Sequence, residues 1–306
     1  MNILLIGGTG FIGSAIARQL TIDGHNLRIA TRRRDRAKHL IVLPTTEVVE
    51  ANVHDTQMLE RLMQGQDAII SMAGILRGDF MRAHAELPRK IAAAAKAVGV
   101  RRIVHISSLG AAKDAASAYQ RSKAAGEQVL QESGLDVTIL RPSVVFGQAD
   151  NFLNLFAKLQ LVTPVFPLAC PDAKFQPVWV EDVARTVSAC LTHRESIGQV
   201  YCLGGPHIYS LRELVRYAGT LAGKPAAIIG LSRQLSYLQA LCMELIPGGP
   251  MTRDNFHSMQ TPNVCAEQPS LPFGLNATPL EAVAPAYLRS GGSQADNNAY
   301  REQAGR

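Results

Sequence analysis

Four consecutive apolar residues, Ile3-Leu4-Leu5-Ile6, run without a break into Gly7-Gly8-Thr9-Gly10-Phe11-Ile12-Gly13, after which apolar side chains recur at helical spacing. A short unbroken apolar run reads as a parallel strand buried on both faces. The glycines that follow make the unit a strand, a tight turn and a helix. In such a unit Gly7 closes the turn, Gly10 lets backbone approach a pyrophosphate, and Gly13 lets the helix press against the sheet. The helix N-terminus adds unsatisfied amides and the positive end of its dipole. Thr9, Phe11 and Ile12 complete the candidate cofactor-binding turn. Glycine turns after strands also serve packing alone, so the downstream sequence has to discriminate.

The second apolar run, Leu27-Arg28-Ile29-Ala30, ends in Thr31-Arg32-Arg33-Arg34-Asp35-Arg36. A site for NAD usually carries an acidic residue at this strand tip, on the ribose hydroxyls. Here Thr31 is followed by guanidinium groups, which suit a 2′-phosphate through charge-assisted, bidentate hydrogen bonds. The expectation is NADPH in preference to NADH, with Arg32 or Arg33 on the phosphate; the alternative is a solvated basic loop.

Strand and helix patterns alternate through the first half, predicting a doubly wound parallel α/β sheet. Strands are expected at 3–6, 27–30, 47–50, 68–72, 102–107 and 137–140, with the clearest helices at Gly13–Thr21 and Pro88–Val98. A nucleotide-binding domain is expected over 1–150, its sheet completed by later segments including 177–205. A smaller, mostly helical substrate or partner region is expected over 151–288, and 289–306 reads as a disordered tail. Within the second region, Leu231–Ile246 is amphipathic, which fits either a helix packed on the core or one lying at a membrane surface or quinone channel.

A 306-residue chain with 47% hydrophobic and 18% charged residues has ample apolar content for a globular core. The net charge of +6 is modest, and its basic residues lack the aromatic interleaving of a nucleic-acid surface. The five cysteines form no Cys-x-x-Cys pair, which argues against a zinc framework and for reduced thiols in a cytoplasmic setting. No apolar stretch reaches the roughly 18 residues of a membrane span, and a strand starting at residue two argues against a signal peptide.

Tyr119 and Lys123 stand at i and i+4, on one face of a helix. A phenol, with its ordinary pKa of about 10, is a poor acid–base group at neutral pH, and a nearby ammonium is expected to draw it down. Ser107 and Ser108 close the preceding strand, where a hydroxyl can bond a substrate carbonyl; Ser108 is preferred and Ser107 is the alternative.

In chain order the glycine turn, Ala73-Gly74, His105-Ile106-Ser107-Ser108-Leu109-Gly110-Ala111, Tyr119 to Lys123 with Ala124-Ala125-Gly126-Glu127, and Arg141-Pro142-Ser143-Val144-Val145-Phe146-Gly147 resemble the extended and atypical branch of the short-chain dehydrogenase/reductase superfamily. Three further segments are similar to the bacterial relatives of the NADPH-binding accessory subunit of respiratory complex I. They are Phe175 to Ala184, Ile246 to Asn255, and Pro279-Leu280-Glu281-Ala282 followed by Pro285, Tyr287 and Leu288. The resemblance implies that Gly7, Gly10 and Gly13 hold the pyrophosphate, that Asn52 and Val53 lie by the adenine, and that Ala73 and Gly74 run along the cofactor. Tyr119 would be the acid–base residue and Lys123 its ribose-bound partner, with Pro142 and Val144 bordering the nicotinamide. Two departures stand out. The stretch 109–118 is shorter than in sugar-nucleotide epimerases, and Asn52 stands where many relatives carry aspartate.

Two functions follow as expectations. One is an NADPH-dependent oxidoreductase acting on a carbonyl or quinone-like substrate. The other is a non-catalytic NADPH-binding module, structural or redox-sensing, tied to a respiratory complex and peripheral on the inner face of its membrane. A sugar-nucleotide epimerase or dehydratase ranks below both, since no nucleoside-diphosphate pocket is legible in the second region.

Overall fold

The computed structural model describes residues 1–266 and 271–289; the tail expected from 289 onward lies, beyond Arg289, outside the described residues. The chain divides into two compact units, and each is built from separated segments: Met1–Ser143, Val180–Gly204 and Cys265–Ala277 form the first, with the remainder forming the second.

The first unit is a Rossmann-like α/β layer structure. Strands β1 (Asn2–Ile6), β2 (Asn26–Thr31), β3 (Thr46–Glu50), β4 (Ala68–Ser71), β5 (Arg102–Ile106) and β6 (Asp136–Pro142) are joined by helices α1 (Phe11–Ile22), α2 (Lys38–Ile41), α3 (Thr56–Met63), α4 (Leu87–Val98) and α5 (Ala118–Gln131). A seventh strand, Val200–Leu203, pairs with β6, so the sheet runs Val200–Leu203, β6, β5, β4, β1, β2, β3, parallel throughout. The unbroken apolar run explains the centre: Ile3, Leu4, Leu5 and Ile6 are buried between helix layers. Each such side chain contributes about 1.5–3 kcal/mol when fully buried. Strand order reverses between β1 and β4, whose connections leave in opposite directions and open a crevice at their carboxyl ends.

Two strands end one residue earlier than the apolar pattern predicts. Met72 and Ser107 leave the sheet at this edge, where the chain turns toward the crevice. Ahead of α4, residues Arg82–Glu86 form a π-helical turn, which helical periodicity alone does not reveal.

The second unit is mostly helical around a core that includes Phe146, Leu153, Leu211, Leu214, Val215 and Leu280. Residues 144–150, grouped with the first domain in the sequence reading, belong here, because Val145–Phe146 pairs with Val178–Trp179 instead of joining the large sheet. Helix formation within Leu231–Ile246 occurs over Arg233–Glu244, but its apolar stripe is not a core contact. Only Ser236 and Ala240 are buried, and Leu235 and Leu238 are each about half exposed.

Candidate cofactor and active site

The glycine turn has the stereochemistry that its sequence predicts. Gly7 has φ +92°, and a side chain there would meet the Ala73 amide nitrogen at 2.9 Å. A Cβ on Gly13 would lie 2.5 Å from Gly7 O and 2.6 Å from Gly8 Cα, so the first turn of α1 can sit against the preceding loop only as glycine. Gly10 is different. Its φ is −82°, and a Cβ would touch only Gly7 O, at 3.6 Å. The protein itself does not require glycine there; the exposed space above Gly10 is a cradle that a Cβ would fill. Gly10 is also the N-cap of α1 and offers no side chain to the first-turn amides, those of Phe11, Ile12 and Gly13. This arrangement fits a pyrophosphate.

The crevice continues as a cavity of about 660 Å³ lined by Arg32, Glu50, Asn52, His54, Ile75, Asp79 and Arg82, among others. Two predicted cofactor residues, Arg32 and Asn52, therefore share one wall system. Arg33 turns away to pair with Asp35 at 3.2 Å, an exposed contact of little energetic weight. The Thr31 hydroxyl bridges the Arg33 backbone, accepting from its amide at 3.2 Å and donating to its carbonyl at 3.1 Å, so it shapes the arginine loop. Val53 is half-buried against the core of the first unit, as is Ala73. Burial and the Arg82, Lys90 and Arg32 cations hold the His54 imidazole below its ordinary pKa, against a weaker pull from Glu86.

Helix α5 begins at Ser117, whose hydroxyl accepts the Gln120 amide at 3.3 Å. The cap fixes where the helix starts, and the i, i+4 spacing within it puts Tyr119 and Lys123 on one face. Lys123 is buried; its Nζ donates to Ile106 O at 3.2 Å and lies beside Gly74, where an added Cβ would be 3.5 Å from it. Burial pushes its pKa down to about 8, with Glu127 opposing. The Tyr119 phenol departs from expectation. Burial pushes its pKa up, and the neighbouring Ser108 hydroxyl, rather than Lys123, opposes that shift. No well-formed hydrogen bond satisfies Ser108 Oγ or Ser107 Oγ, both shielded from solvent. Buried hydroxyls in that condition mark strain or a missing ligand group. Pro142, at the end of β6, accepts the Leu109 amide at 3.0 Å and so shapes the serine loop. Val144 opens the second unit, where its amide donates to Asn263 Oδ1 at 3.1 Å.

Sequence reasoning missed His84. It is carried on the π-helical turn, is buried, and stands edge-on to Tyr119 at 5.3 Å and stacked on Phe80 at 5.8 Å. Burial, then Lys123, lower its pKa to about 4. The only hint in the sequence was Gly126, a mid-helix glycine, which signals close backbone approach. A second histidine, His105, is wholly buried beneath the site, its Nδ1 3.1 Å from Ser71 Oγ and its Nε2 without a partner. Among the described residues no three His, Cys, Asp or Glu side chains cluster as a metal site, and no helix is long and apolar enough to cross a membrane.

A family described as NAD(P)H-binding matches residues 7–162, about half the chain and nearly all the elements that form this crevice. The chain belongs to this NAD(P)H-binding family. Among family relatives, it is 30% identical to rat mitochondrial NADH dehydrogenase [ubiquinone] 1 alpha subcomplex subunit 9 over 93% of this chain and 79% of the rat protein. It is 32% identical to a ceramide reductase of Caulobacter vibrioides over 62% of this chain and 61% of that one. The fold is shared with an NADPH-dependent quinone oxidoreductase of Escherichia coli solved with NADPH, at a TM-score of 0.76 and 23% identity, covering 92% of this chain and 98% of the other. The short-chain dehydrogenase/reductase resemblance and the Rossmann-type sheet are thus borne out, and the family includes both reductases and respiratory-complex subunits.

Proposed function

We propose that this protein is an NADPH-dependent oxidoreductase acting on a carbonyl or quinone-like substrate. The observation that carries the proposal is the meeting, at one crevice, of Tyr119, Lys123 and a Ser108 hydroxyl that lacks a well-formed hydrogen bond. The turn from Gly7 to Gly13 would hold the cofactor pyrophosphate, Arg32 the 2′-phosphate, and Asn52 the adenosine end. When bound, NADPH supplies a hydride to the substrate carbonyl carbon. Ser108 donates a hydrogen bond to the carbonyl oxygen, and Tyr119 gives that oxygen its phenolic proton. A phenol that burial keeps protonated is fitted to donate. Lys123, whose Nζ lies beside Gly74, would hold the nicotinamide ribose.

The second reading, a non-catalytic NADPH module, is favoured by the likeness to the rat respiratory subunit across 93% of this chain. In that case peripheral association with a membrane complex would follow. The two readings separate on turnover. A panel of quinones and aldehydes with NADPH is expected to give a turning-over substrate, and Tyr119→Phe to lower its kcat by about 10²–10⁴-fold while NADPH affinity changes little. Undiminished turnover in Tyr119→Phe would sink the catalytic reading. NADPH that leaves far more slowly than the roughly 10 per second of a median enzyme would favour the module.

A further inference from the structure

The His84 ring joins two segments that the proposed site requires. Its Nε2 accepts the Ile75 amide at 3.0 Å, and its Nδ1 lies 2.8 Å from Ser122 Oγ, which donates to Tyr119 O at 2.7 Å. An amide can only donate, so Nε2 carries no proton. Ser122 spends its single proton on Tyr119 O, so its oxygen must accept from Nδ1–H. Both ends of the ring thus specify the same neutral tautomer, and the direction of every bond from Ile75 through His84 and Ser122 to Tyr119 is determined.

The surrounding backbone is shaped to this ring. The π-helical turn contributes an extra residue that brings His84 inward, a device frequent at functional sites. Gly74 stands between the two polar heads: a Cβ there would be 3.5 Å from Lys123 Nζ and 3.7 Å from His84 Nε2. The titratable neighbours facing the ring are Lys123 and Tyr119 on α5 and His105 on β5, while Arg82 and Glu86 on its own turn are exposed.

We propose that His84 is a positioning residue, a neutral Nδ1–H imidazole that fastens the Gly74–Ile75 turn to α5 and thereby sets the gap in which Lys123 meets the nicotinamide ribose. A second proton on the ring would place two donors, Nε2–H and the Ile75 amide, head to head and release the turn. This inference rests on the proposed NADPH binding.

The test combines tautomer, affinity and pH. Nitrogen-15 NMR of histidine-labelled wild type is expected to show His84 protonated at Nδ1 and bare at Nε2 at neutral pH. His84→Phe keeps a ring but loses both bonds, and is expected to weaken NADPH binding, measured by calorimetry, by about tenfold. Looser packing hydrates Lys123, so the upper pH limit of NADPH binding is expected to move upward in His84→Phe. His84→Gln, whose amide oxygen can accept from the Ile75 amide while its NH2 donates to Ser122 Oγ, is expected to restore both affinity and pH limit. Should His84→Phe not fold, Ser122→Ala and the wild-type tautomer decide. A proton on Nε2, or unchanged NADPH affinity and pH limit in folded His84→Phe or Ser122→Ala, overturns the inference. Wild type that binds no NADPH overturns the functional reading and the inference together.

Discussion

Gly126 in the middle of α5 lies directly against the His84 carbonyl, so closely that a Cβ on residue 126 would overlap His84 O and also meet Pro88 Cγ at 3.4 Å. The π-helical turn and the helix of Tyr119 and Lys123 are therefore in backbone contact, and only glycine permits it. Gly126→Ala, although favourable to an isolated helix, is expected to destabilise the protein by about 1–3 kcal/mol or more, as overpacking does. Urea denaturation checks this; stability equal to or above wild type would mean that the contact gives way.

Gly10 and Gly13 differ in what a Cβ would meet, uncrowded space at the one and backbone at the other. Gly10→Ala is expected to fold with wild-type stability, because its φ of −82° suits alanine and the Cβ meets nothing nearer than 3.6 Å. Its NADPH affinity is expected to fall at least tenfold, as a methyl group occupies the cradle. Gly13→Ala is expected to lose stability as well, since its Cβ collides with Gly7 and Gly8. Thermal melts with titrations of NADPH distinguish the two.

Arg32 lines the cavity beside Asn52, while Arg33 is paired with Asp35. Arg32→Ala is expected to weaken NADPH by about 10–100-fold, the range for charged hydrogen bonds, and to leave NADH nearly unchanged. Arg33→Ala is expected to change NADPH binding less than threefold. Equal losses for both nucleotides in Arg32→Ala would remove Arg32 from the 2′-phosphate.

Acid should weaken the first unit before most carboxylates titrate. His84 and His105 have folded pKa values near 4 and 3, lowered chiefly by burial, with the Lys123 charge adding to each. Below the unfolded value of about 6.5, the unfolded chain binds protons that the folded chain refuses. Stability from each histidine is therefore full above pH 6.5 and falls as pH drops, toward 4 for His84 and toward 3 for His105, by up to about 1.4 kcal/mol per pH unit. Denaturant melts at pH 7 and 5 check the sign. Replacing His84 with Gln is expected to flatten the slope, and an unchanged slope would show that the ring takes up protons freely.

The sheet and the glycine turn were legible because their signals are local. The unbroken run Ile3 to Ile6 suits a strand buried on both faces, as parallel strands are, and the crowding at Gly13 comes from Gly7 and Gly8, within a few positions. Spacing alone likewise put Tyr119 and Lys123 on one face of α5. The exposed stripe of Arg233–Glu244 shows the limit: amphipathic spacing reports that a helix has an apolar side, not what covers it.

What only the tertiary structure decided is the electrostatic character of the site. The upward shift of Tyr119, the downward shift of Lys123 and the neutrality of His84 arise from desolvation, which depends on everything packed around a group. His84 sits 38 positions before Ser122 and nine after Ile75, at no spacing that a motif could announce. Residue order therefore determined the scaffold and the face that bears Tyr119 and Lys123. Long-range packing determined which protons those groups hold.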